Sequence, residues 1–300
     1  MILMLMVPSP LLTIVVPVLN SREQLSVLLK SIIDQGFADL EVVLSDGGSN
    51  DGSVDFALAT LSGERLDAVA IIRPGSSIYE AINLGVGVAR GVWIQVMGCD
   101  DSYYACDILQ RLASVLRASS ADVVYGDAWF QRDQGFVYGG PFWANRLAAL
   151  NICHQSIFYR HACLKRLNIC YNNRYPVYGD WEYNLHLFSK ASFQHVPLLI
   201  SRFSCAGKSS TIGDPLFEQE RYQCFYRYLG ITAFWRLSPD WLSRCLGPSP
   251  GWHERIGLLL NKLGYKVLRL ISRGRIGRDG QRLRQMVYSG RQPPDNFAPQ

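Results

Sequence analysis

The first hundred residues alternate short apolar runs with amphipathic stretches. Residues 11–18 form an apolar run rich in β-branched side chains, which predicts a strand covered on both faces within a parallel sheet. Ser21 then stands where it can cap a helix that carries Leu25, Leu28, Leu29 and Ile32 on one face. The same reading predicts strands at 40–44, 68–72 and 92–97, with helices at 51–61 and 78–89 between them. Strand and helix in strict alternation predict an α/β layer sandwich with a mostly parallel central sheet.

After Gly98-Cys99-Asp100-Asp101 the pattern predicts a helix at 108–116 and a strand at 123–125. From Asp127 the rhythm changes. Residues 129–138, broken by Asp133-Gln134-Gly135, predict a hairpin, and short strands and helices mix as far as about residue 203. Pro239, Pro248 and Pro250, with Gly247 and Gly251, mark a linker, and a basic amphipathic stretch follows to about residue 286.

A chain of 300 residues that is 48% hydrophobic and 18% charged can bury a large core. Its formal charge of +5 is local, because residues 251–291 hold ten Lys/Arg against Glu254 and Asp279. The body is therefore nearly neutral, which argues against a nucleic-acid enzyme with a basic groove. The eight cysteines show no CxxC and no paired Cys/His spacing, so neither a zinc site nor a disulfide framework is expected, and reduced thiols suit a cytoplasmic protein. Residues 1–18 lack a basic n-region and are interrupted by Pro8, Pro10 and Pro17, so a short extension at 1–10 leading into a strand is expected in place of an anchor.

In an open parallel sheet, ligands bind beyond the carboxyl ends of the strands. Three predicted strand ends carry polar chemistry: Pro17 to Asn20, the Ser45-Asp46-Gly47-Gly48-Ser49-Asn50-Asp51-Gly52 loop, and Asp100-Asp101. Asp46 can accept from the imide of uracil or from a purine edge, or else serve its own loop as an Asx-turn acid. Asp51 reads as a helix cap and not as a catalytic group. Adjacent acids such as Asp100 and Asp101 suit a hard cation, Mg²⁺ or Mn²⁺, which takes one or two carboxylates together with substrate phosphates.

The loop at 46–52 resembles the Asp-Gly-Gly-Ser-x-Asp-Gly loop of glycosyltransferase family 2. Five further segments follow that family's order: 12–20, Ser77-Ile78-Tyr79-Glu80-Ala81-Ile82-Asn83, 98–101, Cys153-His154-Gln155-Ser156 and Gly179-Asp180-Trp181-Glu182. The resemblance covers roughly residues 11–210. It implies a GT-A (Rossmann-like) nucleotide-diphospho-sugar transferase fold, with a nucleotide-sugar-binding half at 11–126, an acceptor-binding half at 127–212 and a basic helical region at 213–300.

The resemblance also implies site roles. Asp101 is the direct metal ligand, and Asp100 holds ribose or water. Asp180 is the base that removes the acceptor hydroxyl proton, which implies inversion without a covalent intermediate. Pro17, Asn20, Asp46, Tyr79, Glu80 and Asn83 line the nucleotide; apart from the resemblance, Lys208 stands where a closing loop could bring it to the diphosphate. His154 and Gln155 contact donor or acceptor, with a structural histidine the competing reading. Trp181 offers an aromatic face to an acceptor sugar or else anchors its helix. Glu182 supports, because two residues on a helix diverge by about 200°.

This chain has Cys99 where many relatives have a third acid or a hydroxyl, and Gly75-Ser76-Ser77 where they have an acid and a glycine. Gly85 to Gly91 imitates a dinucleotide fingerprint but ends a helix, and Ala206 to Ser210 imitates a P-loop without its first glycine. Lys262, Lys266, Arg269 and Arg273 interleave with Leu259, Leu263, Val267 and Leu270, a pattern that suits either an anionic membrane surface through 255–286 or a helix packed on the body. The expectation is an inverting, metal-dependent glycosyltransferase, peripheral on the inner face of the cell membrane, that uses a UDP-sugar and a saccharide or lipid-linked oligosaccharide acceptor. The alternatives are a nucleotidyltransferase of similar layout and an inactive membrane-associated partner protein.

Overall fold

β1 (Leu12–Val18) and β2 (Leu40–Asp46) lie mid-sheet, with nearly every residue buried. Their apolar runs sort by parity. Leu12, Ile14, Val16 and Val18 of β1, with Leu40, Val42 and Leu44 of β2, enter one core layer, whereas Val15 and Val43 enter the other. A strand with helices on both faces must be apolar on both, and that is the physical meaning of the unbroken runs. The computed structural model describes residues 9–132, 134–204 and 212–234.

β3 (Asp67–Ile72) and β4 (Trp93–Val96) complete a parallel half ordered β3-β2-β1-β4. Beyond β4 the sheet turns antiparallel. β8 (Ile157–Arg160) pairs with β4, Tyr159 facing Ile94, and β6 (Val123–Phe130) pairs antiparallel with β8. β9 (Phe193–Phe203) runs parallel to β6, β5 (Ser102–Tyr103) closes that edge, and β7 (Phe136–Tyr138) forms the expected hairpin with β6. The sheet is therefore mixed, and its parallel half is the one legible from alternation.

α1 (Arg22–Ile33), α2 (Ser53–Gly63) and α4 (Ile108–Ala118) cover one face. The other carries α3 (Ile78–Val88), α5 (Ala144–Ala149), α6 (His161–Leu167), α7 (Gly179–Phe188) and α8 (Pro215–Phe234). α8 begins just after the expected boundary at residue 213. Its Phe217, Cys224 and Phe225 are buried against the body, and the Tyr228 hydroxyl donates to Glu182, so these residues complete the second core layer. Among the described residues no helix is long and apolar enough to cross a membrane.

The start of α1 also differs from expectation. Ser21 sits at the capping position, but its hydroxyl donates to the Leu19 carbonyl. The Arg22 amide donates instead to Asp51 Oδ2 at 3.1 Å, and Asp51 Oδ1 accepts the Ser53 amide at 3.0 Å. One carboxylate thus serves two helix starts, which holds the first two strand-end loops together.

Strand direction decides which loops share the functional edge. β1, β2 and β4 end on one side, marked by Val18 opposite Asp46 and Val15 opposite Val96. Because β8 runs against β4, the chain entering β8 lies on that same side, and so does the exit of β9 at Ser204. At the opposite edge Glu41, 1% exposed, is ion-paired with Arg90 and accepts from Thr13 Oγ1 at 2.6 Å.

Candidate active site

β4 delivers the chain to Gly98, and the next turn holds both acids. Asp101 is buried; its Oδ2 accepts from the Gly98 amide at 3.2 Å and its Oδ1 from the Ser204 amide at 3.4 Å. Asp100 Oδ2 accepts from Ser204 Oγ at 2.6 Å, so the exit of β9 is tied to the pair. Gly98 is required by close approach, since a Cβ there would lie 2.7 Å from Asp101 Oδ2. Burial and then the neighbouring Asp100 charge push Asp101 up to about 7, while the Gln155 side chain and the two amides oppose that rise. Cys99 donates to the Pro17 carbonyl at 3.2 Å, and burial holds its thiol at about 12, so it offers no thiolate.

Asp180 opens α7 in its first turn, with Tyr178 at the capping position, so it is not the N-cap that the sequence allowed. Asn151 Nδ2 donates to Asp180 Oδ2 at 2.8 Å, and the Tyr79 hydroxyl lies 3.3 Å from Oδ1. Burial raises Asp180 to about 6 against the helix amides, Tyr79 and Asn151, all of which favour the charge. A carboxyl of that pKa is ionised at neutral pH yet able to accept a proton.

The chain from Asn151 to Gln155 spans the gap between these two carboxyls. Asn151 bonds Asp180, Cys153 lies within electrostatic reach of both acids, and the Gln155 side chain lies close enough to Asp101 to lower its pKa. Alternate residues of one short segment therefore line a strip with Asp180 at one end and the Asp100–Asp101 pair at the other. The segment is pinned behind: Gln95 Nε2 donates to the Gln155 carbonyl at 2.7 Å, and Cys153 Sγ lies 3.2 Å from Gln155 Oε1.

Other expected site residues meet protein partners. Asp46 ends β2 on the functional edge, but its carboxylate accepts from the Gly48 and Ser49 amides at 2.9 Å each and from Ser49 Oγ, so it organises its own loop. Asn20, with φ of 47°, joins that loop by accepting from the Asn50 amide at 2.9 Å, and Pro17 stands beside it, partly buried. Tyr79, Glu80 and Asn83, expected along the nucleotide, are used structurally. Tyr79 stacks on Tyr171 and donates to the Val177 carbonyl at 2.7 Å. Glu80 forms a capping box with Ser77, whose amide and hydroxyl lower its pKa. Asn83 exchanges two hydrogen bonds with the Tyr171 backbone.

Trp181 is the buried anchor of α7, donating to the Leu147 carbonyl at 2.7 Å with its ring against Phe217, and so presents no open face to a sugar. Glu182 is buried toward α8, away from Asp180, with its pKa raised by burial. His154 Nε2 meets the Tyr171 hydroxyl at 2.8 Å, and burial lowers the imidazole to about 4, a neutral structural group. Lys208, the P-loop imitation and the basic region 255–286 lie outside the described residues.

Sequence reasoning passed over Asn151, Asn184, Ser204 and Asp214. Asp214 accepts from the Val177, Tyr178 and Phe217 amides, fixing the entrance to α7 and the first turn of α8 together. Its signal was present as Asp-Pro before a helix, the N-cap and N1 pairing. Asn151 and Ser204 carried none, because their partners are brought by strand direction.

The family model described as Glycosyl transferase family 2 matches residues 13–168. The chain belongs to that family. The matched span holds Asp46, Asp100, Asp101 and the 151–155 segment, whereas Asp180 lies past its end. A Mycobacterium bovis PGL/p-HBAD biosynthesis glycosyltransferase is 38% identical over 217 residues, 70% of this chain and 83% of the relative. Glycosyltransferase GlyG of Streptococcus pneumoniae is 26% identical over 191 residues, 62% of this chain and 56% of that one.

In fold, this glycosyltransferase resembles S. aureus TarS in complex with UDP-GlcNAc, with a TM-score of 0.58 and 16% identity, over 79% of this chain and 76% of that one. It also resembles the mannosyltransferase PcManGT of Pyrobaculum calidifontis in complex with GDP-Man and Mn²⁺, at 0.53 and 15%, over 87% and 81%. The fold is thus of the GT-A type, and the nucleotidyltransferase alternative falls away.

Proposed function

We propose that this glycosyltransferase transfers a sugar, with inversion, from a nucleoside diphosphate, UDP favoured, to a hydroxyl of a saccharide or lipid-linked acceptor. The observation that carries this reading is the strip from Asn151 to Gln155, with a carboxylate pair at one end and a separately activated carboxyl at the other. The mycobacterial relatives, named for PGL/p-HBAD biosynthesis, support a biosynthetic acceptor. The neighbours bound to UDP-GlcNAc and to GDP-Man support a nucleotide-sugar donor.

The donor set fits a divalent cation. Asp101 is buried beside a second carboxylate and its pKa is raised, so the pair holds charge that a cation would relieve. Among the described residues no group of three or more His, Cys, Asp or Glu is placed to hold a metal ion, so a cation here would need substrate oxygens to complete its shell. Asp101, with Asp100 beside it, would hold Mg²⁺ or Mn²⁺, which when bound neutralises charge on the departing diphosphate.

Asp180 takes the proton of the acceptor hydroxyl as its oxygen bonds to the anomeric carbon and the bond from that carbon to the diphosphate breaks. Its burial makes it basic enough, and the Asn151 amide holds one oxygen while the Tyr79 hydroxyl lies 3.3 Å from the other. Asn20 and the Asp46 loop form the nucleotide end of the edge, and residues 255–286 bring the enzyme to an anionic membrane surface.

Nucleotide release from a panel of UDP- and GDP-sugars with Mn²⁺ tests this directly. Asp101→Asn should abolish Mn²⁺-dependent nucleotide binding. Asp180→Asn should keep binding while transfer falls by roughly 10²-fold or more. Transfer surviving in Asp180→Asn refutes the base assignment. No turnover with any donor and no nucleotide binding by calorimetry would favour the partner-protein reading.

A further inference from the structure

The candidate base terminates a chain of side-chain hydrogen bonds that crosses the second core layer. The Tyr159 hydroxyl on β8 donates to Asn184 Oδ1 at 3.0 Å; Asn184 Nδ2 on α7 donates to Asn151 Oδ1 at 2.9 Å; Asn151 Nδ2 donates to Asp180 Oδ2 at 2.8 Å. Asn184 and Tyr159 are buried at 0% and 1% exposure, and the Asn151 carbonyl accepts from the Tyr138 hydroxyl, so both amides are fixed in place.

The direction of the chain follows from chemistry. An ionised carboxylate only accepts, so Asn151 must turn its NH₂ toward Asp180 and its oxygen toward Asn184. Asn184 must then turn its own NH₂ toward Asn151 and its oxygen toward β8, where a phenol O–H is the donor that remains. Each link is oriented by the charge at the end, and each polarises the next toward that charge.

We infer that Asn151 and Asn184 are positioning residues for Asp180: they orient its carboxylate and hold it in the ionised form that accepts a proton. The inference rests on the proposed base role only for its catalytic consequence. The titratable groups facing Asp180 are Tyr79 from α3, Cys153 ahead of β8, Tyr159 on β8, Tyr171 between α6 and α7, and Tyr178 at the entrance to α7. None is a cation at neutral pH. Donated hydrogen bonds are therefore what opposes desolvation of this carboxylate, and the Asn151 amide, at 2.8 Å, lies closer to it than the Tyr79 hydroxyl at 3.3 Å.

The test is carboxyl titration by NMR on the full chain labelled with [¹³C]aspartate, with the Asp180 signal assigned by its loss in Asp180→Asn. Asn151→Leu keeps the volume and removes the donor, and should raise the Asp180 midpoint by about one pH unit. Asn184→Leu, which leaves the Asn151 oxygen unpaired, should move it in the same direction by less. Asn151→Asp adds a like charge and should move it furthest. In nucleotide release from the active UDP-sugar, Asn151→Leu should then lose about fivefold at pH 6 and little at pH 8.5, the same shift read as rate.

Near-UV circular dichroism checks each fold. If Asn151→Leu misfolds, the Asn184 and Asn151→Asp variants decide. An Asp180 midpoint unmoved in every folded variant, or a loss of rate equal at all pH, overturns the inference. A shifted midpoint with Asp180→Asn still active would uphold the chain and refute the base role.

Discussion

Asp101 is buried and Asp180 partly buried, and desolvation makes both costly in the charged form. Below about pH 4 both are protonated in folded and unfolded chains alike, and the fold keeps its full advantage with the neutral acid. As pH rises through about 6 for Asp180 and about 7 for Asp101, that advantage is lost. For Asp180 the loss is on the order of 3 kcal/mol. Asp180→Asn should therefore raise the Tm of the metal-free protein at pH 8 and leave it unchanged at pH 4, as read by calorimetry. As the proposed base, the same acid should set the low-pH limb of transfer, with transfer falling as pH drops through about 6; a limb below pH 5 would place the base elsewhere.

The element that carries Asp180 is held at both ends by residues far away in sequence. Asp214 binds the two amides before α7 and one in the first turn of α8, so a single carboxylate couples the two helices. Asp214→Ala leaves one buried and two partly buried amides to find other acceptors, at up to about 1–3 kcal/mol each before relaxation. It should lower the unfolding free energy measured by urea denaturation by several kcal/mol and reduce transfer beyond what the lost stability explains. Gly179 is constrained differently, because a Cβ there would lie 2.6 Å from the Tyr79 ring. Gly179→Ala should displace Tyr79, weaken its contact with Asp180 and lower kcat more than donor affinity.

Across the whole molecule, the reversal of direction between β4 and β8 matters most. It returns the chain before β8 to the edge where the parallel strands end, and so joins residues separated by 79 positions, Asp101 and Asp180, through one strip of five residues. The basic stretch 251–291 adds a second property legible in composition. Cosedimentation with vesicles containing phosphatidylserine should be strong at low salt and lost above about 0.5 M, since charges near a membrane surface act within a Debye length. Equal binding to neutral vesicles would remove the membrane proposal.

Much of this protein was fixed by local pattern. Apolar runs with β-branched residues marked β1 and β2, helical spacing marked α1, and the order of short motifs named the family, because each depends on neighbours within a few positions. Asp100, Asp101 and Asp180 were legible for the same reason, each standing at a predicted strand end or helix start. Tertiary structure decided the rest. Tyr79, Glu80 and Asn83 share a helix start with the nucleotide edge in sequence, yet their side chains turn to Val177, Ser77 and Tyr171. Asn151 and Asn184 look like ordinary polar residues until β8 and α7 bring them together. A hydrogen-bond chain depends on distance and orientation among groups far apart in sequence, and a linear pattern holds neither.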